Sequence, residues 1–139
     1  MRGVIIALLL CTTCHAQAID FWGEGIEPIT TYANGLNIAR AEKRPLMLFM
    51  SQKNCPPCKA AWRVFDDMRQ DKELGNCVLA EVDATTTEGK ALLAGKKLTP
   101  QLIVLDMRKQ EPNGAVEKHA TEKVDRHEII KLLSKIRKP

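Results

Sequence analysis

Aromatic residues are scarce in this chain, with three Phe, two Trp and one Tyr among 139 residues. No stripe of Lys and Arg is interleaved with stacking rings, which argues against a nucleic-acid surface. The formal net charge of +4 is spread over mixed acids and bases and serves solubility. Five cysteines are too few for a fold stapled by disulfides. Long apolar runs are missing as well. The run at the start, Val4 to Leu10, falls well short of the ~20 residues that cross a bilayer, and no other segment is able to span one. Internal repeats and low-complexity tracts are absent.

What remains is the mix of one ordinary domain, 45% hydrophobic and 27% charged, long enough to bury a core. The start of the chain reads as a targeting segment. Arg2 supplies the positive charge, Val4 to Leu10 the apolar stretch, and Ala16-Gln17-Ala18 the small-x-small cleavage pattern. The expected organisation is therefore a signal peptide over 1–18, an irregular lead-in over 19–29 and one domain over 30–139. An uncleaved anchor is the alternative, and lipidation at Cys11 a third, against which the bulky Leu10 argues. No stable membrane insertion is expected after cleavage. The implied location is an exported one, the bacterial periplasm first, with secretion or the endoplasmic reticulum as alternatives.

Export places the mature cysteines in an oxidising compartment, where disulfides form and persist. Cys11 and Cys14 fall in the segment expected to be removed. Pairing them with Cys55 and Cys58 as zinc ligands needs a gap of about forty residues, where zinc ribbons use roughly 15–20. No metal is expected. Cys77, just before an apolar run, reads as a small buried hydrophobe, with a regulatory or dimer-forming thiol as the alternative. His119 and His127 lie on polar segments and suggest no ligand cluster.

The elements follow from periodicity and punctuation. Phe21 or Trp22 in the lead-in packs on the body. Thr30 or Thr31 caps a helix to about Lys43, and Pro45 ends it. Leu46 to Met50 is a continuous apolar run suited to a strand covered on both faces. Cys55-Pro56-Pro57-Cys58 opens a helix carrying Ala61, Val64, Phe65 and Met68 at helical spacing, closed by Gly75 and Asn76. A strand over Val78 to Val82 precedes a short helix from about Glu88 to Ala94, capped within Thr85 to Thr87. Leu102 to Leu105 is a third strand, and Pro112-Asn113-Gly114 turns the chain toward an edge strand between Ala115 and Ala120. Asp125 and Glu128 form a capping box for a last helix whose face is Ile129, Leu132, Leu133 and Ile136. Such alternation predicts an α/β fold, a central mixed sheet of about four strands with helices on both faces.

The chemistry sits at Cys55 and Cys58. A thiolate is what attacks a disulfide, and the unpaired N–H groups at a helix N-terminus stabilise it. Cys55 is expected to be the exposed nucleophile that forms a mixed disulfide, and Cys58, one turn on, to resolve it. Pro56 and Pro57 form the active-site loop. They have no N–H to offer the Cys55 sulfur, and they stiffen the loop. Bare C-x-x-C also suits half a zinc site, a structural disulfide or two buried thiols. The preceding strand and following helix favour redox exchange. Trp62 reads as core or rim, and Lys59 as a solvated residue or a charge beside Cys55.

The stretch from about Thr30 to Ile136 resembles the thioredoxin superfamily, on Arg44-Pro45-Leu46-Met47-Leu48-Phe49, Cys55-Pro56-Pro57-Cys58-Lys59, Val82-Asp83 and Leu98-Thr99-Pro100. The likeness is to a small exported branch with a C-P-P-C centre. The resemblance implies that Pro100 is cis and lies against the cysteine pair. It also implies that Thr99 offers backbone groups to an extended substrate. Implied partners are proteins bearing thiols or disulfides, together with a further redox partner, and no cofactor beyond the cysteines is needed. Three positions depart from the family pattern. Phe49 stands where thioredoxins proper carry an acid, Leu79 aligns by eye with that acid's lysine partner, and Asn54 replaces the tryptophan before the first cysteine. Water, or less favourably Glu81, is then left to take the Cys58 proton. A binding module of the same fold, holding a soft metal or docking a partner without turnover, is the rival reading.

Overall fold

The computed structural model describes residues 26–137, apart from 97 and 98. The expected signal peptide, Cys11 and Cys14, the aromatic anchors Phe21 and Trp22, and Leu98 lie outside the described residues.

The described chain alternates strand and helix up to β4, where two strands follow one another: β1 (Ile29–Thr31), α1 (Tyr32–Glu42), β2 (Leu46–Ser51), α2 (Pro56–Gln70), β3 (Val78–Asp83), α3 (Thr87–Leu93), β4 (Gln101–Asp106), β5 (Glu117–Thr121) and α4 (Arg126–Ile136). The sheet order is β1-β3-β2-β4-β5. β1 and β2 run parallel to β3, whereas β4 lies antiparallel to β2 and β5 antiparallel to β4. The sheet thus has five strands, one more than the sequence suggests. The addition is β1, the last lead-in residue Ile29 with Thr30 and Thr31, which continues directly into the helix.

The apolar run of β2 is buried along nearly its whole length because helices cover both faces of the sheet. Its alternate side chains enter two cores. Met47 and Phe49 join Phe65, Met68, Ile129 and Leu132 on the α2/α4 side. Leu46, Leu48 and Met50 join Ala39, Val82 and Leu93 on the α1/α3 side. Side-chain caps fix the helix starts: Thr31 for α1, Thr86 for α3 and Asp125 for α4 each accept from an amide three residues on. β2 ends at Ser51, and the loop after it delivers Cys55 to the first turn of α2.

Candidate active site

Cys55 is the N-cap of α2, and Pro56 and Pro57 occupy its first two helical positions. Neither proline has an N–H, so the first amide able to reach the cap is that of Cys58. It donates to the Cys55 sulfur at 3.2 Å. The next amide, of Lys59, already bonds the Cys55 carbonyl. Cys55 and Cys58 are joined as a disulfide, with Cα atoms 5.2 Å apart. The sulfurs therefore meet at the positive end of a helix, where negative charge on the attacking atom is stabilised.

One expectation needs correction. Cys55 is only 6% exposed, scarcely more than Cys58 at 5%. Bonded to Cys58, it is folded over the first turn of α2, with Thr99 against its other side. The asymmetry between the two lies in position instead: Cys55 in the loop, Cys58 inside the helix.

Thr99 and Pro100, 44 residues on in the chain, come back to this point. The Thr99–Pro100 peptide is cis, and Thr99 Oγ1 lies 4.0 Å from the Cys55 sulfur. Both residues are half-buried.

Beneath the pair, Phe49 fills the core. Its ring meets Trp62 edge-on at 5.1 Å and Phe65 at 5.4 Å between centroids. Trp62 is half-buried and closes the core at its rim. In the strand register Leu79 pairs with Met47, and the β3 residue beside Phe49 is Glu81. Glu81 is exposed, accepts a hydrogen bond from the Ser51 hydroxyl at 2.8 Å, and faces the same open groove as both cysteines. That groove, of about 480 Å³, is also lined by Lys53, Lys59 and Arg63. A second groove of about 550 Å³ lies on the Thr99 side, with Lys90, Leu93 and Lys96. Gln52 lines both. Sequence reasoning missed these grooves, since their walls come from separate elements.

Cys77 is apart from the site, 2% exposed, and burial pushes its thiol up to about 12. His119 is half-buried and bonds Glu117 at 2.8 Å, and His127 is exposed. Among the described residues no group of three or more His, Cys, Asp or Glu gathers in a metal-binding arrangement. No described helix is long and apolar enough to cross a membrane.

A C-x-x-C disulfide at a helix N-terminus of a five-stranded α/β sheet, facing a cis-proline loop, defines the thioredoxin-like class. The chain belongs to the thioredoxin-like family, whose model matches residues 27–107. It is similar to the anterior gradient protein 2-B of Xenopus laevis, 31% identical over 86 residues that make up 61% of this chain and 52% of that protein. The chain thus spans about half the length of the curated relatives it matches. Among solved structures, a thioredoxin from Thermus thermophilus superposes with a TM-score of 0.63 at 24% identity, covering 80% of this chain and 87% of that one. Thioredoxin f from spinach chloroplast gives 0.60 at 18% identity, covering 81% and 95%. These two likenesses concern the fold.

Proposed function

We propose that the protein exchanges a dithiol for a disulfide with protein substrates through Cys55 and Cys58, in an exported compartment. The observation that carries this reading is the Cys55–Cys58 disulfide at the start of α2, with Thr99 Oγ1 4.0 Å from the Cys55 sulfur. In the reducing direction the Cys55 thiolate attacks one sulfur of a substrate disulfide. A mixed disulfide forms, and the other substrate sulfur leaves as a thiolate that takes up a proton. The Cys58 thiol, losing its proton to water in the open groove, then attacks Cys55. This restores the intramolecular disulfide and frees the second substrate thiol. Two electrons pass to the substrate, and the cycle runs backwards when the potentials favour it. A further redox partner must return the pair to its starting state after each turnover.

Thr99 and Pro100 form the wall against which an extended substrate segment lies, and Pro56 and Pro57 hold the loop. The apolar, Arg2-led start of the chain supports export, the periplasm being the first choice.

Insulin-disulfide reduction tests the reading. Cys55→Ser is expected to abolish it, and Cys58→Ser to accumulate mixed disulfides visible on non-reducing gels. Full activity in the Cys55 variant overturns the proposal.

A further inference from the structure

The side chains around the cysteine pair are unequally charged. Lys53, Lys59 and Arg63 line the groove that holds both cysteines, with Glu81 the single acid among its described lining residues. Lys90 and Lys96 line the groove on the Thr99 side, with no acid among its described lining residues. All five cations are exposed. Among the described residues, Lys96 pairs with Glu122 at a long 3.9 Å, and Lys53 lies near enough to Asp83 to help lower its carboxyl below the usual range. Glu81 meanwhile accepts from the Ser51 hydroxyl. The two grooves share Gln52 and flank the Cys55–Thr99 contact, so positive charge lies on both sides of the reacting sulfur.

Resting on the exchange reading above, we propose that this surface selects substrates whose reacting cysteine lies in an extended, acidic segment, with Asp or Glu within two or three residues on each side. An extended chain advances about 3.3 Å per residue and alternates its side chains. Acids two residues from the cysteine therefore reach out along both grooves while the cysteine meets Cys55. Fields of this kind raise encounter rates and oppose like-charged partners. Their reach is about 8 Å at physiological ionic strength and about 3 Å in 1 M salt.

The test is single-turnover reduction of synthetic peptide disulfides by the reduced protein. A fluorophore and a quencher sit on the two peptide strands, so cleavage releases signal. One peptide has Asp and Glu around its cysteine and the other Lys. The protein's dithiol supplies both electrons. The acidic peptide is expected to react about tenfold faster at low salt, with the ratio falling toward one in 1 M salt. In the double variant Lys53→Glu/Arg63→Glu the ratio is expected to invert, and in Lys53→Gln/Arg63→Gln to fall between. Taking the ratio within each variant cancels any change in sulfur reactivity. Equal rates for the two peptides in the unsubstituted protein, or a ratio that survives both double variants, overturns the proposal. If neither peptide is reduced, the exchange reading itself fails.

Discussion

At the level of single residues the site turns on which amides are available to the Cys55 sulfur. An N-cap acceptor ordinarily draws on the amide of the second or third helical residue. Here the second is Pro57, and Cys58 alone donates. Replacing Pro57 by Ala adds an N–H at a position from which it reaches the cap. A hydrogen bond to a charged acceptor is worth about 1.5–3 kcal/mol, and one pKa unit is about 1.4 kcal/mol. Pro57→Ala is thus expected to lower the Cys55 pKa by about one to two units. The pH dependence of Cys55 alkylation in the reduced protein measures this directly, and an unshifted profile counts against the cap as the source of thiolate stabilisation. Phe49, by contrast, brings no charge near the pair. Its ring is 1% exposed and locked between Trp62 and Phe65. With no acid at position 49, the proposed acceptor of the Cys58 proton is water in the groove, with Glu81 as the less favoured alternative.

Among the elements, α3 shows a backbone constraint outweighing helix propensity. Gly89 lies within this helix and is buried. Alanine is the better helix former by about 1 kcal/mol. Yet a Cβ at this position would sit 2.2 Å from the Asp83 carbonyl oxygen and 2.8 Å from the Ala84 Cα, both rigid main chain. Gly89→Ala is therefore expected to destabilise, by at least the 1–3 kcal/mol typical of overpacking, with a lowered urea midpoint as the readout. It is also expected to displace α3 from β3, and with it Lys90 and Leu93. The legibility of the elements follows from the same contrast between local and long-range causes. Leu46 to Met50, the C-P-P-C helix start and the Ile129/Leu132/Leu133/Ile136 stripe carry their signals within a few neighbouring residues, and all three stand where expected. β1 escaped notice because three residues beside Pro28 have no periodicity of their own and become a strand only by pairing with Leu79 to Glu81. The register that sets Glu81 beside Phe49 is equally a product of two strands meeting. The contact of Thr99 with Cys55 was accessible only through family resemblance, since no local pattern joins residues so far apart.

For the molecule as a whole, two groups away from the site frame the pH range of stability. Asp106 has a fully buried side chain, held below the usual carboxylate range by hydrogen bonds from Arg108, which also donates to the Ile136 carbonyl at the end of α4. A carboxyl lowered by folding contributes fully above its unfolded value of 3.8, and the contribution is lost as pH falls through the folded value. Cys77 works in the opposite sense. Its thiol rises from 9.0 to about 12 on burial, so the folded chain holds that proton more tightly. This contribution is complete below pH 9.0 and is lost as pH climbs toward about 12. Urea midpoints are thus expected to be level near neutrality and to fall on both sides. Cys77→Ala is expected to flatten the alkaline fall and Asp106→Asn the acid one. An alkaline slope unchanged by Cys77→Ala contradicts the assignment.

The margins of the sheet bear on how such a protein parts from its clients. Among the described residues the sheet ends on one side with β1, only three residues long, and on the other with β5, which opens with the charged Glu117 and Lys118. Short or charged margins are poor templates for a further strand. In the proposed exchange a polypeptide tethered through Cys55 finds no long unpaired ladder among the described strands. Its non-covalent hold is the Thr99–Pro100 wall and the two grooves, so the strike by Cys58 removes the one covalent link.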